Sequence, residues 1–143
     1  MDENARRTRN AQKLTELYPI FRVRVSAVIQ SLEGQGIRPR IQEAWRSPQA
    51  QLDAFSSGHS KLKFGFHNIC GAGGTPESLA VDLLDDDNPL NPATSYLLQV
   101  AAAIDAALTA KNWTAPVKVG WDPTHIEPMG LTVTEAKAGK RPQ

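Results

Sequence analysis

The sequence predicts one α+β domain, with helices packed on a small, mainly antiparallel sheet. Apolar residues at helical spacing in two long segments predict helices, and short apolar or alternating segments between turn residues predict strands. The 143 residues, 41% of them hydrophobic, suffice to bury a core without disulfides. Because no repeat or low-complexity segment divides the chain, residues 1–143 are expected to form a single domain, with about 1–12 and 136–143 loose.

The first helical pattern covers residues 14–32. Pro19 interrupts it, and because proline lacks an amide hydrogen, we expect one helix to end there and Pro19 to stand in the first turn of the next. The second helix is expected to stop at Gly34 or Gly36. The residues that share the apolar face are Leu14, Leu17, Tyr18, Phe21, Val25, Val28, Ile29 and Leu32.

Two further helices are predicted downstream. Ser47 followed by Pro48 predicts an N-cap and a first helical position, for a short helix that ends within residues 56–58. An alanine-rich apolar face predicts a longer helix within residues 92–111.

Four segments are predicted to be strands. Residues 37–45 alternate in polarity, and Pro39 favours an edge position because it cannot donate to a neighbouring strand. Residues 79–84 form a short apolar run that is typical of a buried strand. Residues 116–121 and 124–127 are predicted to be two short strands joined by a turn.

Composition narrows the function classes. Sixteen basic residues against fifteen acidic ones leave a net charge of +1, which predicts no attraction to nucleic acid or membranes. The single Cys70 cannot close an internal disulfide, so a metal site would use histidine and carboxylates, and a reducing compartment is expected. A polar N-terminus and the lack of about 18 consecutive apolar residues predict neither an export signal nor a membrane anchor.

A candidate metal site is spread over three parts of the chain. A catalytic zinc site takes three protein ligands from histidine and acidic residues and leaves one position open, and His67, Asp82 and His125 would supply such a set. Asp122, three residues before His125, is a candidate acid/base that could take a proton from the attacking water and pass it to the departing amine of a peptide. The residues alone equally allow a solvated His67 and an Asp82 that caps its neighbouring loop.

Five short pieces follow one another along the chain: EAWRSPQAQ (43–51), GHSK (58–61), His67, LAVDL (79–83) and WDPTHIE (121–127). In this order they resemble the zinc D-Ala-D-Ala carboxypeptidases and L-alanyl-D-glutamate endopeptidases of peptidoglycan, which include VanX- and VanY-like enzymes and single-domain phage endolysins. The family pattern runs from a Y-R-S-like segment and a following Q through G-x-S to S-x-H-x(6)-D in a G-x-A-x-D-L context, and ends with an acidic residue three positions before a last His. The resemblance covers about residues 14–128 and implies a hedgehog/D-Ala-D-Ala-peptidase-like fold.

The chain departs from the family pattern in two ways. Fourteen residues separate His67 from Asp82 where the family has six, an apparent insertion of eight around ICGAGGTP. Because loop closure depends only weakly on length, such a loop can bulge outward while the ligands still converge. In addition, Gly65 replaces the serine two residues before the first His, and Ser78 replaces the glycine before A-x-D. These replacements put substrate preference, more than metal binding, in question.

By resemblance, the ligands of one Zn²⁺ ion would be His67, Asp82 and His125. Asp122 would be the catalytic acid/base, and Arg46 would direct its planar donors at the substrate carbonyl or the developing oxyanion. Ser60 would bind substrate or, equally, serve as a turn residue. Glu127 would orient His125 through its second ring nitrogen, or would simply face solvent on its strand. Gln51 is expected on the surface of its helix.

The resemblance implies a monomeric zinc peptidase that hydrolyses peptidoglycan stem peptides, either as an L-Ala-D-Glu endopeptidase or as a D-Ala-D-Ala carboxypeptidase. Such an enzyme, without an export signal, is expected to be made in the bacterial host cytoplasm as a phage endolysin and to reach the cell wall through a holin-type pore. One alternative is a non-catalytic zinc- or peptidoglycan-binding module of the same fold. Another is a nucleic-acid-binding domain, which only the basic segment 6–9 with Arg38 and Arg40 favours.

The remaining polar features favour structural interpretations. Residues 85–88 could hold calcium, but their turn composition favours a solvated loop before the next helix. His59 is expected in a loop, and Cys70 as a fourth metal ligand would close the position that catalysis needs open. The tryptophans are expected to pack in the core or at its rim, two of them beside candidate site residues: Trp45, Trp113 and Trp121.

Overall fold

A computed structural model describes residues 1–90, 93–111, 117–119 and 124–143 of the chain. The helices in these residues are α1 (Glu3–Leu14), α2 (Pro19–Gly34), α3 (Pro48–Ser56), α4 (Thr94–Lys111) and α5 (Val133–Lys137). The strands are β1 (Pro39–Glu43), β2 (Val81–Asp85), β3 (Val117–Val119) and β4 (His125–Pro128). Two single 3-10 turns, Phe66–Asn68 and Ala72–Gly74, lie between α3 and β2.

The strands form one antiparallel sheet in the order β1-β2-β4-β3. Strand β1 is at an edge, which is where a strand that begins with Pro39 loses least from the missing amide hydrogen. The predicted α+β class and the small antiparallel sheet are therefore confirmed.

The two faces of the sheet differ because side chains alternate along each strand. Apolar residues on one face are almost fully buried in the core that α2 and α4 also enter: Ile41, Val81, Leu83 and Ile126. The Tyr96 hydroxyl on α4 donates a hydrogen bond to the Leu83 carbonyl (2.7 Å), which ties this helix to β2. The opposite face carries the half-buried Asp82, His125 and Glu127. The polar candidates therefore lie on the face that points away from the core.

The helix boundaries follow the local signals in the sequence. Helix α2 begins at Pro19 and ends at Gly34, as predicted. Helix α3 begins at Pro48, and the Ser47 hydroxyl accepts the N–H of Ala50 (3.0 Å), which is the predicted N-cap. Across the described residues, none of the helices combines the length and apolar character that crossing a bilayer requires.

Residues 1–12, which the sequence analysis expected to be loose, instead contribute most of α1. Asn10 binds the free edge of β1: its amide oxygen accepts the N–H of Ile41 (2.9 Å), and its amide nitrogen donates to the carbonyl of Pro39 (3.0 Å). Arg9 donates to the carbonyl of Ile41 (2.8 Å). The expectation fails because side-chain hydrogen bonds to a strand edge leave no periodic pattern in the sequence. They also occupy an edge that could otherwise pair with another chain.

Three of the basic residues considered for nucleic-acid binding form close ion pairs within the chain. Arg6 is 1% exposed and pairs with Glu33 (2.7 Å). Arg38 and Arg40 pair with Asp86 (3.2 and 3.1 Å), whose side chain is 2% exposed. Asp86 is thus buried among arginines, and the expectation that its loop is solvated is wrong at this residue. These three guanidinium groups already face carboxylates, which counts against the nucleic-acid-binding alternative.

Residues 136–143 also make defined contacts, contrary to the expected loose tail. Ala136 is buried in α5. Arg141 pairs with Glu77 (3.0 Å) and donates to the carbonyl of Cys70 (2.8 Å). The end of the chain therefore holds both sides of the inserted loop between the first candidate histidine and β2, a long-range contact that local sequence cannot indicate.

We predict that Asn10→Ala lowers the free energy of unfolding by about 1–3 kcal/mol, because it leaves the buried N–H of Ile41 and the carbonyl of Pro39 without this partner. Urea denaturation measures the change. Gln12→Ala, on the exposed side of the same helix, is the control and is expected to change stability by less than about 0.5 kcal/mol. Equal stabilities for the two variants would contradict a role for Asn10 in holding β1.

Candidate metal centre

Strand pairing places two of the three candidate ligands opposite each other. Asp82 on β2 is paired with His125 on β4, and Nδ1 of His125 lies 3.2 Å from Oδ1 of Asp82. His67, in the 3-10 turn Phe66–Asn68, brings its Nε2 to 3.4 Å from the same oxygen. The imidazole rings are edge to face, with centroids 5.2 Å apart. The inserted loop has therefore not prevented the three side chains from converging.

The imidazole of His67 is oriented by a hydrogen bond at Nδ1, the ring nitrogen that does not face Asp82. Its Nδ1 lies 2.5 Å from the carbonyl oxygen of Ala44. Because a carbonyl can only accept, this contact places a hydrogen on Nδ1, and in the neutral ring the Nε2 lone pair then faces Asp82. The N–H of Arg46 donates to the carbonyl of His67 (2.9 Å), and the hydroxyl of Ser78 donates to the same Ala44 carbonyl (2.9 Å). Ser78 thus helps to hold the segment that orients His67.

The imidazole of His125 is oriented by a contact at Nε2, the ring nitrogen that does not face Asp82. Nε2 of His125 lies 3.3 Å from Oε1 of Glu127, which is two residues along β4 and on the same face. Since a carboxylate accepts, the hydrogen of a neutral His125 belongs on Nε2, and the Nδ1 lone pair faces Asp82. This contact is the orienting role that the sequence analysis considered for Glu127.

The electrostatics of the site favour a positive charge beside Asp82. Burial alone would raise the pKa of Asp82, but hydrogen bonds with His125 and His67 hold it well below its usual value. Burial likewise opposes the charged form of His125, yet its hydrogen bonds with Asp82 and Glu127 raise its pKa to about 9. A cation close to the Asp82 carboxylate is therefore stabilised by its surroundings.

The donor set fits a zinc ion. One ligand atom from each of His67, Asp82 and His125 lies within 4.8 Å of the others. Two imidazoles and one carboxylate are the ligand types of catalytic zinc sites, in which a fourth position stays open. The three side chains are between 16 and 23% exposed, so the group can be reached from solvent. Elsewhere in the described residues, no second group of three such side chains is close enough to hold a metal.

These residues line a cleft of about 300 Å³. The walls around the candidate ligands come from β1, α3, the loop that follows α3, and α5. The polar residues that line it besides the three candidate ligands are Glu43, Arg46, Gln51, Ser60, Asn68 and Glu127.

Arg46 lines this cleft, and its guanidinium is already engaged. It forms a two-pronged ion pair with Glu43, with Nε to Oε1 at 2.7 Å and Nη2 to Oε2 at 2.9 Å. Nη1 donates to Oε1 of Gln51 (3.2 Å). The sequence analysis gave Glu43 no role. The available signal was its spacing of three residues from Arg46 at the end of a strand.

Gln51 is 6% exposed, so the expectation that it lies on the helix surface is wrong. Its amide nitrogen donates to the hydroxyl of Ser60 (2.9 Å), and its amide oxygen accepts from Arg46. Asn68, which the sequence analysis missed, donates to the carbonyl of Arg46 (2.9 Å) and accepts the N–H of Gly65 (2.7 Å). These bonds connect the cleft walls, and the Ser60 hydroxyl is part of that connection.

The inserted loop folds back on itself instead of covering the cleft. A bridge pairs Cys70 with Pro76, and the N–H of Gly71 donates to the carbonyl of Thr75 (2.8 Å). The candidate metal group among the described residues consists of His67, Asp82 and His125 and does not include Cys70. None of residues 69–80 lines the cleft.

Asp122, the predicted acid/base, lies outside the described residues, as do Trp113 and Trp121. Trp45 is half-buried and donates from its indole nitrogen to the carbonyl of Ile69 (3.1 Å), consistent with packing at the rim of the core. His59 is exposed in its loop, as expected.

No protein-family model matches the chain, and no curated protein matches it in sequence. Among solved structures, the chain is similar to the crystal structure of Serratia marcescens L-Ala D-Glu endopeptidase ChiX, with a TM-score of 0.60 and 18% sequence identity over 83% of this chain and 85% of that chain. The predicted peptidase-like α+β fold is therefore confirmed as a fold that this chain shares with an L-Ala D-Glu endopeptidase.

Proposed function

We propose that the chain is a single-domain zinc peptidase that hydrolyses peptidoglycan stem peptides. The observation that carries the proposal is the convergence of His67, Asp82 and His125 at a solvent-accessible cleft. The fold shared with an L-Ala D-Glu endopeptidase supports the same substrate class. A zinc ion held by the three side chains would supply Lewis-acid polarisation and a water of lowered pKa.

The residues of the chain have separate roles in the proposal. His67, held by Ala44, and His125, held by Glu127, present oriented imidazoles, so little reorganisation accompanies metal binding. Asp122 is proposed, from its spacing to His125 alone, to take a proton from water and return it to the leaving amine. Arg46 retains N–H groups that can donate to a substrate carbonyl.

Between the two bonds considered, we favour the L-Ala-D-Glu bond over the terminal D-Ala-D-Ala bond. A carboxypeptidase must bind a free terminal carboxylate, and the only arginine that lines the described cleft is already paired with Glu43. The structural neighbour is also an endopeptidase. The proposal of a phage endolysin that passes a holin pore rests on the resemblance to single-domain endolysins. The covered edge of β1 supports a monomer.

We predict that purified protein binds one Zn²⁺ per chain and that Asp122→Ala retains the metal but lowers the rate of stem-peptide cleavage at least about 100-fold, because only the proton carrier is lost. Metal analysis and mass spectrometry of products from purified peptidoglycan give the two measurements. Removing zinc with a chelator should abolish cleavage and lower the melting temperature, since the ligand stabilises only the folded chain.

Two results would count against this assignment. Cleavage that survives Asp122→Ala would refute the proposed acid/base. One zinc per chain with no cleavage of any wall preparation would favour the non-catalytic binding module.

We also predict that Glu127→Gln weakens zinc binding about 10- to 100-fold, because the neutral amide holds His125 less firmly in its ligating orientation. Competition with a chromophoric chelator measures the affinity. Asp53→Asn, an exposed charge change on α3, is the control and should leave zinc binding unaltered. An unchanged affinity in Glu127→Gln would show that this carboxylate does not orient His125.

A further inference from the structure

A bulge in β1 turns Glu43 into the cleft. Ile41 is opposite Leu83 and faces the core, so regular alternation would send Glu43 to the core as well. The register shifts between Ile41 and Glu43, and Glu43 instead pairs with Asp82, on the face that carries the candidate ligands. Bulges commonly redirect a side chain beside an active site. The fold therefore uses a local irregularity to place one more carboxylate in the cleft.

The ion pair with Glu43 changes what Arg46 can bind. A guanidinium has five N–H groups, and the bonds to Glu43 and Gln51 use three, so two remain to face a ligand. Two N–H groups suffice to bind a neutral carbonyl or amide oxygen. The positive charge, however, is already compensated by a carboxylate that is held in a two-pronged geometry.

The charged groups around the cleft leave no excess positive charge for an anionic ligand. Three carboxylates line it, on Glu43, Asp82 and Glu127, and Arg46 is the only lysine or arginine that does so among the described residues. A divalent ion on the ligand group would bring the total of these charges to zero. A substrate carboxylate would enter a site whose positive charges are all matched by nearby negative ones.

The neutral donors near Arg46 are also committed. Gly65 stands where the family pattern has a serine, two residues before the first His, and its N–H donates to Asn68. The Ser60 hydroxyl accepts from Gln51 (2.9 Å) and donates to the carbonyl of Leu62 (3.3 Å). Neither group is free, in this arrangement, to replace the charge that Arg46 has lost to Glu43.

We propose that Glu43 is a specificity-determining residue that acts through its ion pair with Arg46. Because of this ion pair, the cleft selects stem peptides in which the glutamyl residue beside the cleaved bond carries a carboxamide. Stem peptides in which the same residue carries a carboxylate are selected against. A D-glutamyl residue has one carboxyl group that is not part of the peptide chain, and amidation converts this group from an anion into a neutral amide. The inference rests on the proposed peptidase function and specifies its substrate class.

The test uses two stem peptides that differ only in this carboxylate or carboxamide. For zinc-loaded wild-type protein, we expect the amidated peptide to have a kcat/KM at least about tenfold higher. In Glu43→Gln, which keeps a hydrogen-bonding partner for Arg46 but frees its charge, the ratio of the two kcat/KM values should fall at least about tenfold, so that the preference for the amidated peptide is lost. Asp53→Asn removes one negative charge from α3 outside the cleft lining and should leave the ratio unchanged.

Binding provides a second readout that does not depend on turnover. The dissociation constants of both peptides for zinc-loaded Asp122→Ala should show the same preference for the amidated peptide, and adding Glu43→Gln should remove that preference. Zinc content and melting temperature establish that each variant is folded. The wild-type preference tests the proposal even if Glu43→Gln does not fold.

The outcomes separate the two proposals. Wild-type protein that neither binds nor cleaves either peptide refutes the proposed function itself. Cleavage of both peptides at equal rates, a preference for the carboxylate form, or a preference that Glu43→Gln leaves intact would overturn the role of Glu43 while the peptidase assignment stands.

Discussion

The pairing of Asp82 with His125 across two antiparallel strands is the constraint on which the site depends. Because the strands are hydrogen-bonded in this register, the carboxylate and the imidazole meet on the face of the sheet opposite the core. His67 reaches the same oxygen from a 3-10 turn that the carbonyl of Ala44 holds in place. A shift of one residue in the pairing of β2 and β4 would send Asp82 into the core and remove the site.

Opposite charges are paired at two places on this face of the sheet, the ligand group and the cleft wall. At the ligand group, Asp82 has a depressed pKa and stabilises a cation, either a protonated His125 or a metal. At the cleft wall, Glu43 compensates Arg46 before any ligand arrives. The first arrangement favours metal binding, and the second favours neutral groups on the substrate. Under the two proposals, the cleft holds a metal ion on one side and selects against an anion beside it.

Local signals in the sequence predicted most of the fold. Pro19, Ser47 with Pro48, and the apolar periodicities placed the helices, because capping and side-chain periodicity act within a few residues. The three candidate ligands could be named because their chemistry and order match a family pattern. Glu43 could not be named, because its direction depends on a bulge. A helix before Pro19 was predicted, but not that it includes residues 3–12, because these are held by side-chain bonds to a strand edge about 30 residues away.

The central claim is that His67, Asp82 and His125 bind one metal ion together. The X-ray absorption spectrum of the zinc-loaded protein tests it most directly. The account predicts only nitrogen and oxygen neighbours at about 2.0–2.2 Å, with the outer-shell signal of two imidazoles, and the loss of one imidazole in His67→Ala. A sulfur neighbour at about 2.3 Å, which would implicate Cys70, or a spectrum that His67→Ala leaves unchanged, would contradict it.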